Sequence, residues 1–264
     1  MDLQDLPEGC KAHIISLMSP RDAGRLCSIS KDFKSKKELY LTLCDNPVLI
    51  GNRKMSFSLD KWSGKKCYMI SARDLDITWG STPEYWTWTS DPESRFEEVA
   101  ELVDVCWLEI RGKLDTRLLS PSTLYKACLV FKFNVWAYGF LNLPTKVTVG
   151  LEGEETTEQT VFLHDEREVT ADAIEFYLLP KMIAAGLDDG DTTMLTAFLH
   201  NEGVKKNSDR YPKVRSDGWL EIELGDFFCK GGENGQLSMM CLNTCGHWKS
   251  GLVVQGIEVR PKRK

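Results

Sequence analysis

The chain has 264 residues, of which 42% are hydrophobic and 27% are charged, which suffices for one large or two smaller globular domains with a buried core. Its formal net charge of −6 gives no general attraction to nucleic acid, and no apolar run suits a membrane span or a secretion signal, so we expect neither nucleic-acid nor membrane partners. Nine cysteines, scattered singly, indicate a reducing compartment in which the thiols serve as small core residues.

Two short helices are predicted before residue 36. In the first, Leu6, Cys10, Ile14 and Leu17 recur at helical spacing and form one apolar stripe. The sequence SPRD at 19–22 predicts the start of a second helix, because a serine cap followed by proline suits a first helical turn. Two helices this short bury little surface by themselves, so they need a partner surface.

The sequence DLPEGCKAHIISLMSPRDAGRLCSISKDF at 5–33 resembles the first two-thirds of an F-box, a motif that docks on a Skp1-type adaptor within a cullin-based ubiquitin ligase. The usual third segment is absent, because the chain passes from residue 35 straight into KKELY, so residues 1–35 are interpreted as a truncated F-box. The alternative is a helical hairpin that only packs on the next domain. The resemblance implies that the adaptor would contact Leu6, Pro7, Ile14, Ile15, Leu17, Pro20, Leu26 and Phe33.

Residues 36–66 are expected to be a connector that lies against a neighbouring domain, because the segment is too apolar for a free linker. Within it, Leu39, Leu41 and Leu43 alternate along the chain. From Cys67 onward the pattern is that of short alternating strands separated by turn residues. This pattern predicts a mainly β fold, an antiparallel β-sandwich or jelly roll over residues 67–264. Residues 165–213 interrupt it with helix-like stretches and are interpreted as a helical or irregular insertion.

The stretch SARDLDITWGSTPEYWTWTS at 71–90 contains three of the eight tryptophans, Trp79, Trp86 and Trp88. The letters GSTP break the alternation, which predicts a strand, a loop and a second aromatic strand close together. Indole rings beside polar groups suit a flat ligand rich in hydroxyls, such as a sugar ring. The alternative is that these are core tryptophans of a β-sandwich.

Four motifs in order resemble the phloem protein 2 family of plants. Besides residues 71–88, they are EVAELVDVCWLEIRGKLDTRLLSPSTLYKACLVFKF at 98–133, RSDGWLEIELGDFF at 215–228 and HWKSGLVVQGIEVRP at 247–261. The resemblance implies a lectin domain over 67–264 that binds N-acetylglucosamine oligomers or related glycans, with no catalytic residues and no cofactor. It also implies a plant protein of the cytoplasm or nucleus.

The resemblance also implies which residues contact the glycan. Trp79 and Trp86 match the tryptophans of the family's first aromatic motif, and Trp88 lies nearby. Gln236 and Asn243 stand where the lectins have two acidic residues. An amide still hydrogen-bonds a hydroxyl but is a weaker acceptor than a carboxylate, so we expect weaker or altered glycan specificity.

Three other patterns suggest catalytic or metal-binding chemistry, and each has a simpler explanation. Glu221 and Glu223 share a strand face, as a glycosidase pair could, but exposed strand carboxylates are usually solvated. Cys241, Cys245 and His247 lack a fourth zinc ligand at a familiar spacing. The acidic run DDGD at 188–191 lacks the spacing and the closing glutamate of a calcium loop. We therefore expect no metal site.

Together these features predict the substrate-recognition subunit of a Skp1–cullin–F-box ubiquitin ligase that selects glycosylated proteins. A glycan-binding protein without a ligase role is the alternative, and the missing third F-box segment favours it. A third alternative is a family member that has lost both activities.

Overall fold

The computed structural model describes residues 36–141, 143–154, 156–164, 210–232 and 234–263. The predicted F-box at 1–35, with its eight adaptor-facing residues, lies outside the described residues, and so does most of the predicted insertion, residues 165–209. In the part of the chain that is described, no helix has both the length and the apolar character needed to cross a membrane.

The described residues form one α-helix and fourteen strands, with short 3-10 turns at Ala72–Asp74 and Thr116–Leu118. In chain order they are α1 (Lys36–Asp45), β1 (Val48–Ile50), β2 (Met55–Leu59), β3 (Lys66–Ser71), β4 (Asp76–Ile77), β5 (Trp86–Thr89), β6 (Val99–Leu102), β7 (Leu108–Asp115), β8 (Thr123–Tyr138), β9 (Pro144–Leu151), β10 (Thr157–Phe162), β11 (Lys213–Val214), β12 (Leu220–Cys229), β13 (Gln236–Asn243) and β14 (Ser250–Pro261).

The strands form two sheets with antiparallel pairing throughout, which confirms the predicted mainly β sandwich. The first sheet has nine strands in the order β1-β2-β3-β14-β8-β12-β11, and β6 pairs with β14 and β5 beside this path. The second sheet has five strands in the order β10-β9-β13-β7-β4. Each residue on the long strands therefore points either into the space between the sheets or away from it.

The core follows from alternating apolar residues on the central strands. Ala127, Leu129 and Phe131 of β8 are buried, and Leu237 and Met239 of β13 face them from the other sheet within one cluster. Fully burying a leucine, methionine or phenylalanine side chain stabilises a fold by about 1.5–3 kcal/mol. The alternation along the two strands thus sets which sheet faces pack together.

Residues 36–66, expected to be a connector, are built into the first sheet. The alternating leucines lie on helix α1, where Leu39 and Leu43 are buried one turn apart while Leu41 is exposed. Strands β1 and β2 extend the sheet from β3, with Phe57 opposite Tyr68. The Tyr40 hydroxyl also donates to the Lys61 carbonyl at 2.9 Å. The segment is therefore part of the β domain rather than a spacer before it.

Strand β14 runs from one end of the sandwich to the other. Its first residue, Ser250, pairs with Tyr138, and its last, Pro261, pairs with Tyr125 at the far end of β8. At the Ser250 end, a β-bridge between Val105 and Lys249 brings the loops before β7 and β14 together. We call this end, with residues 78–85, 103–107 and 245–249, the loop end of the domain.

Candidate functional site

Trp79 is an exposed ring on the turn after β4. Its side chain is 43% exposed, and its ring centroid lies 5.2 Å from that of Tyr85. Its φ of 59° lies in the left-handed region, which bulky residues rarely adopt. Such strain persists only where the surroundings hold the backbone.

Trp86 and Trp88 supply that restraint. The indole N–H of Trp86 donates to the carbonyl of Thr78 at 3.2 Å, and that of Trp88 donates to the carbonyl of Gly80 at 2.9 Å. The carbonyls of the residues before and after Trp79 are therefore each held by an indole from β5. The backbone N–H of Gly80 also donates to Ile77 at 2.8 Å and closes the turn.

Both of these indoles are less exposed to solvent than that of Trp79. Trp86 is only 2% exposed and packs in the core. Trp88 is half-buried, and the Arg73 guanidinium lies 3.8 Å from the centre of its ring. Arg73 is fixed in turn by two hydrogen bonds to Glu98. In this arrangement only Trp79 of the three offers a broad ring face to a ligand.

The polar partner of this site is Glu109 on β7, which is not among the predicted glycan contacts. Its carboxylate accepts from Thr78 Oγ1 at 3.0 Å and from Arg111 Nε at 2.7 Å, and Trp107 also hydrogen-bonds to it. Partial burial alone would raise the pKa of Glu109, but the hydrogen bonds from Arg111 and Thr78 outweigh burial and hold the pKa below its usual value. An ionised acceptor is therefore hydrogen-bonded to the residue that precedes Trp79.

A sequence signal for Glu109 existed. On β7, Leu108, Ile110 and Leu114 alternate inward, which places Glu109 and Arg111 on the opposite face. What the sequence could not show is that β4 pairs with β7 so that Thr78 lies beside Glu109.

The structure does not bring Gln236 and Asn243 together. They are the first and last residues of β13, seven positions apart, so they lie roughly 23 Å from each other and point to opposite faces. Gln236 is exposed, whereas Asn243 is buried and donates from Nδ2 to the Pro144 carbonyl at 2.8 Å. The Asn243 Oδ1 accepts from the backbone N–H of Cys245 at 3.3 Å. Asn243 thus shapes a turn, and its contact with a glycan stays a prediction, as does that of Gln236.

Three further tryptophans, none of them a predicted glycan contact, stand at the loop end. Trp107, Trp136 and Trp248 are 46%, 61% and 52% exposed. Trp107 and Trp248 flank the two bridged loops, and Trp136 lies near the end of β8 that pairs with the start of β14. Exposed indoles are therefore concentrated at the end of the domain that carries Trp79.

Lys249 ties these loops together from inside. It is fully buried, and its ammonium donates to the carbonyls of Cys106 and His247, each at 2.7 Å. Hydrogen bonds to two carbonyls compensate the loss of hydration that burial of the ammonium costs. The loops before β7 and β14 are thereby fixed to each other.

Comparison with known proteins decides the family. The family model for phloem protein 2 matches residues 65–261, most of the sandwich described above. The chain belongs to the phloem protein 2 family. The resemblance to its F-box members is confirmed by relatives from Arabidopsis thaliana. F-box protein PP2-B1 is 38% identical over 301 residues, covering 98% of this chain and 89% of the relative, and F-box protein PP2-B10 is 38% identical over 288 residues, covering 97% and 93%.

Solved structures similar to this phloem protein 2 chain match it loosely. A GH26-CBM35 β-(1,4)-mannanase from Podospora anserina has a TM-score of 0.34 at 10% identity, covering 75% of this chain and 28% of the mannanase. A CBM61 module in complex with β-1,4-galactotriose has a TM-score of 0.28 at 8% identity, covering 79% and 88%. Scores this low carry no information about the ligand.

In this family member, Glu221 and Glu223 are held in ion pairs. Glu221 accepts from Arg215 Nη1 at 2.8 Å and from Arg260, and Glu223 pairs with Lys262 at 2.7 Å. Burial alone would raise the pKa of Glu221, but Arg260 and Arg215 outweigh it and lower the pKa. A glycosidase acid needs a raised pKa, so this geometry does not resemble an acid–base pair.

The cysteines of the suggested zinc pattern have other surroundings. Cys241 is fully buried in the core, and burial raises the pKa of its thiol to about 12. Cys245 donates from Sγ to Asn243 Oδ1 at 2.9 Å. Within the described ranges, no group of three or more His, Cys, Asp or Glu side chains could hold a metal ion.

Proposed function

We propose that this chain binds N-acetylglucosamine-type glycans and serves as the substrate-recognition subunit of a Skp1–cullin–F-box ubiquitin ligase. The observation that carries the glycan half is Trp79, an exposed ring on a braced turn beside the ionised carboxylate of Glu109. Such a ring can stack on the apolar face of a sugar while the carboxylate accepts hydrogen bonds from its hydroxyl or acetamido groups.

The ligase half rests on the N-terminal motif and on the relatives. Residues 5–33 resemble an F-box, and relatives that cover nearly all of this chain are named F-box proteins. In this proposal the sandwich selects glycosylated proteins in the cytoplasm or nucleus, and a Skp1-like adaptor connects it to the ligase. The partners carry out the ubiquitin transfer, so the chain itself is neither catalytic nor dependent on a cofactor.

A lectin without a ligase role is the second candidate, and helix α1 favours it. This helix, Lys36–Asp45, lies where a third F-box segment would follow. Its apolar residues Leu39 and Leu43 are buried in the same cluster as Ile50 and Phe57 of the sandwich. The packing of this helix in the β domain supports the second candidate.

Two experiments on the full chain separate these functions. A glycan array should give signals for N-acetylglucosamine oligomers that Trp79→Ala reduces and that Trp62→Ala, a change at a ring 80% exposed on another turn, leaves unchanged. Equal or absent signals in all three proteins would contradict sugar binding at this site. A pull-down with a Skp1-like protein tests the ligase role, which a result at background level would refute.

A further inference from the structure

A second concave site lies at the end of the sandwich opposite the loop end. It is a cleft of about 690 Å³ between the turn at 58–61, the segment 213–216 and the final residues of β14. Four lysines and four arginines line it, against three carboxylates, in a chain whose formal net charge is −6. Glu258, which lies in this cleft, is eight residues along β14 from Ser250 at the loop end, a separation of roughly 26 Å.

The floor of the cleft is a preorganised cluster of guanidinium groups. Glu258 on β14 is 5% exposed and accepts from Arg95 at 2.9 Å, from Arg215 at 2.8 Å and from Arg260. Burial alone would raise the pKa of Glu258, but the three arginines outweigh it and hold the pKa at about 2. One carboxylate that is ionised at neutral pH thus holds three cations in place before any ligand arrives.

Two of these three arginines retain hydrogen-bonding capacity. Each guanidinium has five N–H donors. Arg215 is nearly saturated, because its Nε and Nη2 donate to Asp217 and its Nη1 donates to Glu221 and Glu258. Arg95 and Arg260 engage only part of their donors. The Lys126 ammonium lies 3.8 Å and 3.9 Å from the carboxylates of Glu221 and Glu223, beyond direct hydrogen-bond distance. Donors and positive charge therefore remain for an anion that enters from solvent.

The lining also limits the kind of anion. None of the described residues that line the cleft is aromatic, so neither a sugar ring nor a nucleobase has a stacking surface there. Forked arginine donors match the tetrahedral oxygens of a phosphate, with which they form paired, charge-assisted hydrogen bonds. The volume leaves room for the group that carries the phosphate.

We propose that this cleft binds a phosphate monoester, carried either by a phosphorylated protein segment or by a small phosphorylated metabolite. It is a second recognition site, independent of Trp79 and of glycan binding. Arg95 and Arg260 receive the phosphate oxygens, and Lys126 and Lys213, which also line the cleft, neutralise its charge.

The test is isothermal titration calorimetry on the full chain. The probes are a serine-centred peptide, the same peptide phosphorylated on that serine, and glucose 6-phosphate. Since hydrogen bonds to charged groups are the strongest in proteins, we expect the phosphopeptide or the sugar phosphate to bind at least about tenfold more tightly than the unphosphorylated peptide. Binding of the phosphopeptide alone identifies a protein source, and binding of glucose 6-phosphate alone identifies a metabolite. The affinity falls as salt rises.

Matched variants locate the binding. The double variant Lys126→Gln/Lys213→Gln should lose about tenfold in affinity, while Lys146→Gln, which removes an exposed lysine of β9 from an ion pair with Glu158, should lose none. Trp79→Ala should also keep phosphate binding, which distinguishes failure here from failure of the glycan site. If the double variant does not fold, Lys213→Gln alone, at an exposed position, should still lose about threefold. Equal affinity for both peptides with no binding of glucose 6-phosphate, or unchanged affinity in the folded lysine variants, would overturn the proposal.

Discussion

The indole N–H of Trp88 donates to the carbonyl of Gly80 at 2.9 Å and fixes the residue that directly follows Trp79. Trp86 makes the equivalent bond to Thr78 on the other side. The aromatic motif is therefore divided between one ring that faces solvent and two rings that hold its backbone. This division determines what each substitution in the motif should do.

Trp88→Phe should weaken glycan binding without removing the exposed ring. Phenylalanine keeps an aromatic surface beneath Arg73 but cannot donate to Gly80, so we expect a loss of about 1 kcal/mol in unfolding free energy and a few-fold weaker affinity. Urea unfolding and calorimetry with an N-acetylglucosamine trimer measure the two effects. Trp62→Phe, at a ring 80% exposed elsewhere, is the control and should change neither.

Trp79→Ala should affect sugar binding, whereas Trp86→Ala should affect stability. Loss of the exposed Trp79 ring should reduce sugar affinity by about 1 kcal/mol or more with little change in stability. Loss of Trp86, which is 2% exposed, should cost about 3–5 kcal/mol of unfolding free energy because it opens a cavity in the core. A stable Trp86→Ala protein that has lost only sugar binding would show instead that this ring contacts the ligand.

Glu109→Gln should weaken glycan binding about fivefold to tenfold, because a neutral amide replaces a charge-assisted acceptor. Gln236→Ala should leave the affinity unchanged, since Gln236 lies at the start of β13 whereas Glu109 pairs with Leu242 near its end. Calorimetry with the same trimer compares the two. A larger loss of affinity in Gln236→Ala than in Glu109→Gln would instead place the polar half of the site on β13.

Acid should destabilise the sandwich through Glu258. The pKa of Glu258 in the folded protein, about 2, lies below its ordinary value of 4.5, so its contribution to stability is complete above about pH 4.5 and is lost as the pH falls toward 2. Glu258→Gln should cost about 3–5 kcal/mol at neutral pH, because three arginines would then surround an uncharged group, and should flatten the pH dependence below 4.5.

Urea unfolding from pH 7 to pH 3 checks this expectation. Glu158→Gln is the matched control, because that carboxylate is half exposed and its ion pair with Lys146 lies on the surface. A Glu258→Gln protein with the same acid sensitivity as the wild type would show that other carboxylates govern it.

The sequence predicted those parts of the fold whose signal is local. Alternation along β8 and β13 identified buried residues such as Phe131 and Met239, because the two-residue period of a strand can be recognised within a few consecutive residues. Helix α1 was not predicted, since its two buried leucines are also spaced as alternate strand residues are. The two-residue strand β4 was predicted as a strand, but its pairing with β7 was not predicted.

The candidate site was predicted only in part, because only part of its signal is local in the sequence. The aromatic motif marked Trp79, but the separate roles of the three tryptophans depend on a left-handed turn and on hydrogen bonds across it. Glu109 joins the site through pairing of β4 with β7, some thirty residues apart, which no local pattern reports. The adaptor-facing residues at 1–35 stay a prediction, because they lie outside the described residues.

Strand β14 has a consequence for how the chain folds. It lies in the middle of the first sheet, between β3 and β8, yet it comes nearly two hundred residues after β3. The sheet cannot close until residues 250–261 have been synthesised, and such distant pairing makes folding slow. While the chain is still being made, the facing edges of β3 and β8 have unpaired backbone groups, which expose them to pairing with other chains until the central strand is inserted.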